Sequence, residues 1–590
     1  MGRFLALSLV LGSLLLTGML WAQTPLTYIS TAPCRVFDTR WQPGPFGGPA
    51  LAANTIREII IPNNRVCGIP NSALAYALNV TVVPSTTLGW LTMWPTGQQQ
   101  PFVSTLNSYD GRIKAAAAFV AGGVNNSISV SATNTTDLIL DINGYFVGPG
   151  DPYSLQYYPL MRACELVNTF NPPTPDGLSG PALQAGVARS FTVTASSNCT
   201  VPPEAEAYSL NVIASPVNNA SLDYLTIWPS DHAQPFTSTL NAPTGTTVAN
   251  AAIVAAGTGA LSLFASNADT NVQVELNGYF AQPSPAEGLA LYPLPSPCRG
   301  MDTRPTLFTN RLDYVLQSQG GCQSALPPLP SRPRIGAFVL NATVVPETGL
   351  GFLPIWPYGA MPPLASTVVA LDAAVTSNMA IVPNGLNAEI SAFSSAPTNL
   401  IYDLMGYFAS PDLTILTQPP LPSGIQHEPY PPFVMSARGG IPPYTWNALT
   451  LPPGLSIDPA SGVISGCPTA AGGATPTIAV TDSALTPAPP SVTALTVAGL
   501  TPLTITTAAL PNGTLHVPYS VNLEAAGGYG SQTWTLVAGS LPPGFSMTSD
   551  GVISGYDANT RGTFPFTVGV ADQQCSAPTP PTKNLGIRIN

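Results

Sequence analysis

Three copies of one unit, each marked by five landmarks in constant order, constrain this chain more than any other feature. The first copy carries PCRVFDTR, LNVTVVP, GWLTMWP, STLN and DINGYF. The second carries ACELVNTF, LNVIASP, DYLTIWP, STLN and ELNGYF, and the third PCRGMDTR, LNATVVP, GFLPIWP, STVV and DLMGYF. Trp94, Trp228 and Trp356 fall at one place in the repeat, and Tyr145, Tyr279 and Tyr407 at another. A shared order of landmarks means a duplicated domain, so one fold must serve all three copies.

That fold is read as all-β. In the last element Leu138, Leu140 and Ile142 alternate with Ile139, Asp141 and Asn143, a period of two that buries one face. The LNVTVVP and LTMWP runs are rich in Val, Thr and Trp and stop at proline, as strands do. Each copy is expected to be a β-sandwich or jelly roll, with boundaries at 27–148, 152–282 and 289–410. Beyond residue 410 the landmarks change: LPPGLSIDPASGVISG and VTDS are followed by LPPGFSMTSDGVISG and VADQ, which sets two further units at 413–499 and 502–590. The whole is a tandem β-sandwich array that leaves no space for a separate catalytic domain.

Composition narrows the function. Charged residues make up 8% of the chain, against a usual share of about 25%. The net charge is −11, and Lys114 and Lys583 are the sole lysines, so no basic stripe exists for phosphates, and neither nucleic acid nor an anionic membrane surface is an expected partner. Three histidines, His232, His427 and His516, and no nucleophile elbow leave little for acid–base or nucleophilic catalysis. The expectation is a protein without enzymatic activity, with an accessory part of an extracellular hydrolase as the weaker alternative.

Residues 1–22, MGRFLALSLVLGSLLLTGMLWA, have a basic start, an apolar stretch and a small residue at a cleavage point, which reads as a signal peptide. No later run is long and apolar enough for a membrane span. A secreted or extracellular cell-surface location follows, and there cysteines pair by default. Six of the eight fall two to a repeat at corresponding places, predicting disulfides Cys34–Cys67, Cys164–Cys199 and Cys298–Cys322. Cys467 and Cys575 do not align with each other; they either bridge the two C-terminal units or stay free.

The C-terminal pair resembles the tandem Ig-like domains, allied to cadherin-like modules, of bacterial surface and secreted proteins. The likeness rests on LPPG, a short polar loop, GVISG, and an aspartate near the domain end. It implies an Ig-type sandwich and a role in adhesion or as a modular stalk. It also raises calcium, with Asp482 and Asp572 as candidate ligands, although the residues do not cluster as calcium ligands do; no other cofactor is expected. The triplicated unit is similar to a repeat of secreted bacterial proteins, which implies location more than chemistry.

Candidate binding residues come from positions that recur. Trp94, Trp228 and Trp356 lie on the strand face opposite Leu91, Leu225 and Leu353, and either stack a sugar ring or pack against a neighbouring loop or repeat. Thr105, Asn107, Thr239 and Asn241 in the STLN runs would add polar contacts to a carbohydrate. Asp141, Glu275 and Asp403 recur in the last strand and are read as exposed or hydrogen-bonded structural acids. The DTR pair, Asp38 with Arg40 and Asp302 with Arg304, is lost in the second copy, where Asn168 and Phe170 stand instead. The expected partner is a protein or polysaccharide at the cell surface.

Overall fold

The computed structural model describes residues 24–590, except 284–287, 317–320, 323–324, 327–334, 365, 418, 484–486, 489, 557–558, 576–578 and the side chain of Asn387. The expected signal peptide lies outside the described residues. The chain divides into two units, Met1–Ser410 and Pro411–Asn590. No α-helix occurs among the described residues, and no described helix is long and apolar enough to cross a membrane.

In the first repeat the strands are β1 (Thr27–Asp38), β2 (Ile56–Ile60), β3 (Ala73–Pro84), β4 (Leu88–Pro95), β5 (Leu106–Ser108), β6 (Lys114–Ala121), β7 (Ser127–Ala132) and β8 (Thr136–Val147). They form two four-stranded antiparallel sheets of order β1-β8-β3-β6 and β2-β7-β4-β5, the strand order of a jelly roll. The second repeat reproduces both sheets, and the third reproduces the first sheet with additional pairing along one long strand, Glu389–Ala409. Alternation explains the sandwich. Leu78, Val80 and Val82 of β3 face Leu91 and Met93 of β4 in one buried cluster. Disulfides Cys34–Cys67, Cys164–Cys199 and Cys298–Cys322 each tie the first strand of a repeat to a later loop.

The three jelly rolls are not independent beads. The faces of their first sheets that point away from each sandwich meet in one further core, which holds Tyr28, Phe119 and Phe146 from the first repeat, Tyr157 and Phe280 from the second, and Leu291 and Phe408 from the third. Rings touch across repeats: Tyr28 lies 4.5 Å from Phe280, and Tyr157 lies 4.6 Å from Phe408, centroid to centroid. The main chain closes the same circle, because Tyr28 bridges Leu155, Tyr157 bridges Leu289 and Leu291 bridges Leu26. Each GYF landmark contributes its phenylalanine to this shared core. The glycine before it is needed in the first two copies: a Cβ on Gly144 or Gly278 would lie 2.2 or 2.4 Å from the hydroxyl of Tyr28 or Tyr157.

In the second unit each Ig-like domain builds small three-stranded sheets around one tryptophan. Trp446 packs with Ile464, Ile478 and Val480, and Trp534 with Ile553, Val568 and Val570. The glycine that opens each GVIS strand, Gly462 or Gly551, has a positive φ and sits directly against the indole of Trp446 or Trp534. Cys467 and Cys575 form a disulfide that joins the two domains.

Candidate functional site: clefts between the repeats

The recurrent acids explain how the repeats hold each other. Asp141 of β8 stands beside Asn79 of β3 in register, and the pairs Glu275 with Asn211 and Asp403 with Asn341 are equivalent. Each pair grips one serine of the next repeat by both backbone groups. The N–H of Ser238 donates to Asp141, that of Ser366 to Glu275 and that of Ser104 to Asp403, at 3.1–3.2 Å. In return Asn79 donates to the Ser238 carbonyl, Asn211 to that of Ser366 and Asn341 to that of Ser104. First grips second, second grips third, third grips first: a heterologous contact whose rotation closes after three steps, here within one chain. All three acids are buried, so the expectation of hydrogen-bonded structural acids is met by these contacts rather than by exposed positions.

A second layer of amides reinforces two of the three contacts. Asn250 donates to Asn79 and accepts from the Ala117 N–H, and Asn378 donates to Asn211 and accepts from the Ala251 N–H. At the third contact the corresponding residue is Ala116, and the buried Asn341 Oδ1 has no hydrogen-bond partner.

Electrostatics distinguish the copies as well. Burial pushes the Asp141 and Asp403 carboxyls up, and Arg35 and Arg299 oppose that shift through bonds of 2.8 Å to them. In the second repeat the position of Arg35 is Glu165. Burial carries the Glu275 carboxyl up to about 8; hydrogen bonds from Asn211 and the Ser366 N–H oppose the shift, and the Glu165 charge adds to it.

Beside each of two contacts lies an open cleft. The first, of about 560 Å³, has Arg35, Arg40 and Thr81 of the first repeat on one side and Tyr224, Phe236 and Asn241 of the second on the other. The second, of about 390 Å³, has Arg299, Arg304 and Thr343 of the third repeat opposite Trp90, Phe102 and Asn107 of the first. These are the same positions of the repeat, with Tyr224 in one cleft where the other has Trp90. Both volumes suit a small ligand or one segment of a polymer. In each, the DTR aspartate holds its own arginine: Nε and Nη2 of Arg40 bond Asp38, and those of Arg304 bond Asp302. The guanidinium charges are thereby largely balanced in place. Phe236 and Phe102 stand 84% and 92% exposed at the rims, within 5.3 Å of the Arg35 and 6.0 Å of the Arg299 guanidinium respectively.

The residues expected to bind divide between structural and cleft positions. Trp94, Trp228 and Trp356 are buried, so their rings offer no open face for stacking; the indole N–H of Trp94 bonds the Gln98 carbonyl, and that of Trp228 the His232 carbonyl. Thr105 and Thr239 accept the N–H groups of Met93 and Ile227, which commits them to the sheet. Asn107 and Asn241 do line the clefts. The aromatic residues there, Trp90 and Tyr224, lie four positions before the tryptophans that sequence reasoning singled out. Their signal was recurrence of an aromatic residue at that position, with Phe352 as the third. In the second unit the Asp482 carboxylate accepts the Ile441 N–H and the Asp572 carboxylate the Tyr529 N–H. Among the described residues no group of three or more His, Cys, Asp or Glu side chains is placed to hold a metal.

The fold is all-β, with a closed ring of jelly rolls in one unit and Ig-type sandwiches in the other. Residues 413–497 and 501–582 each match the family described as "Putative Ig domain", so the C-terminal unit is a tandem of that family. No curated protein matches the chain. Among solved structures, human CDH23 EC21-23 aligns at 14% identity over 30% of this chain and 69% of its own, with a TM-score of 0.16. Drosophila OTK extracellular domains 3-5 align at 11% identity over 48% and 97%, TM-score 0.16. An endo-fucoidan hydrolase from glycoside hydrolase family 107 aligns at 15% identity over 34% of this chain and 36% of its own, TM-score 0.17. The alignment thus spans about a third of that hydrolase.

Proposed function

We propose that this is an exported, non-enzymatic protein of the bacterial cell surface or extracellular matrix, which binds a partner through its triplicated unit and carries the Ig-like pair as a modular stalk. The observation that supports this reading best is the pair of equivalent clefts, each built at a junction of two repeats from an aromatic residue, an exposed phenylalanine, an asparagine and a charge-balanced Arg–Asp pair. Such a set recognises and orients; it offers no nucleophile with an adjacent base. Four disulfides, Ig-type domains and a low charge suit an oxidising exterior. Calcium has no role in this reading.

The test is fractionation of producing cells, with an antibody to residues 24–410 and thiol alkylation before lysis. The protein is expected in the medium or accessible to protease on intact cells, with all eight cysteines unmodified. A cytoplasmic pool with alkylated cysteines would overturn the proposal.

A further inference from the structure

The two open clefts have a third counterpart between the second and third repeats, and its composition differs from theirs. Where the first two junctions carry Thr81 and Thr343, the third carries Ile213; where they carry Asn241 and Asn107, it carries Val369. Ile213 and Val369, both buried, pack with Ala249 in a small apolar cluster of their own. The Arg–Asp box is gone as well, with Asn168 and Phe170 in its place. The threonine, the asparagine and the Arg–Asp pair have changed together, while the serine clamp that holds the repeats has been kept. Polarity at the other two junctions is therefore not a requirement of assembly.

It is also not satisfied by the protein itself. Thr81 and Thr343 are 1% and 3% exposed, yet the hydroxyl oxygen of each has no hydrogen-bond partner. The amide oxygen of Asn241 is buried in the first cleft without one. Leaving such atoms unpaired costs about 1–3 kcal/mol each. An isoleucine and a valine avoid that cost at the third junction. Retaining the threonine at both open clefts makes sense if a ligand supplies the missing partner.

We infer that the two clefts are sugar-binding sites, each taking a neutral or weakly acidic pyranose ring of an extracellular polysaccharide, and that the third junction is the same site closed by apolar side chains. The inference rests on the proposed binding function and specifies its ligand. A sugar hydroxyl both donates and accepts, which answers the unpaired threonine hydroxyl of each cleft and, in the first, the unpaired Asn241 amide oxygen as well. The CH face of a pyranose stacks on Tyr224 or Trp90, with Phe236 or Phe102 covering the rim. Since Asp38 and Asp302 hold the guanidinium groups, the site carries no strong excess charge for a phosphate or sulfate. A peptide strand would need a row of unpaired backbone groups; the clefts offer side chains instead.

The experiment uses the full mature chain on an immobilised panel of gluco-, xylo-, manno-, galacto-, chito- and glucurono-oligosaccharides, followed by calorimetry with the tetrasaccharide that binds. Two molecules per chain are expected. Thr81→Ile should remove one site and Thr81→Ile with Thr343→Ile both, with a melting temperature that rises, because each isoleucine removes an unpaired buried hydroxyl. If the isoleucines disturb folding, Phe102→Ser with Phe236→Ser, at surface positions, should weaken binding at least tenfold. Absence of binding at millimolar oligosaccharide overturns the inference, as does a stoichiometry of three, binding indifferent to all four substitutions, or displacement of the sugar by a random peptide library. Export without sugar binding overturns the ligand class alone; retention in the cytoplasm overturns the function on which it rests.

Discussion

A single amide separates the third serine clamp from the other two. Asn250 and Asn378 complete the hydrogen bonding of Asn79 and Asn211, whereas Ala116 leaves Asn341 short of one donor. Ala116→Asn is expected to stabilise the unit by about 1 kcal/mol, and Asn250→Ala to destabilise it by about 1–3 kcal/mol, read as shifts in urea midpoint. A loss of stability in Ala116→Asn would show that the contact between the third and first repeats differs in more than this side chain. Glu275 supplies the other residue-scale expectation. Its carboxyl stays protonated in the folded state up to about 8, against 4.5 ordinarily. Between those values the unfolded chain binds fewer protons, so stability is full below pH 4.5 and falls as pH rises to about 8. The slope is at most about 1.4 kcal/mol per pH unit. Glu275→Gln should flatten the curve between pH 5 and pH 8; an unaltered slope would assign it to other groups.

At the scale of elements, glycines decide where strands may cross rings. Gly462 and Gly551 combine a φ of +69° and +84° with an indole under 3 Å from where a Cβ would lie. Gly462→Ala should therefore cost its Ig-like domain more than the roughly 1 kcal/mol expected of positive φ alone. Thermal melts of the variant should show one domain destabilised; a shift below 1 kcal/mol would mean that Trp446 moves aside easily. The alternation that predicted strands also placed Trp94 opposite Leu91 and Met93. It could not show that the chain turns back after Pro95 and caps the indole with the Gln98 carbonyl. Residues four apart in such a return are invisible to a period of two.

For the whole molecule, the common core determines how the repeats fold. A repeat cut out alone would expose Tyr28, Phe119 and Phe146, which are buried in the intact unit. Residues 24–410 should melt in one cooperative transition, and residues 24–150 alone should be recovered as a trimer or aggregate by light scattering. A stable, monomeric single repeat would show that the shared core contributes little.

Five landmarks in order were enough to establish three sandwiches and their cysteine pairing by position, and the LPPG and GVISG motifs the Ig-like character of the last two units, because alternation, turn residues and repetition are local properties of a chain. They also exposed the loss of the Arg–Asp pair in the second copy. Where that pair sits was decided by tertiary structure alone. Arg40 and Asn241, or Arg304 and Asn107, belong to different repeats and meet only when the ring closes. Likewise, an aspartate in β8 reads as one more polar residue until the serine it holds, about a hundred or more residues away, is brought beside it. Hydrogen bonds between distant segments leave no periodic trace in sequence, so the clamps and the clefts became visible only with the packing of three copies against one another.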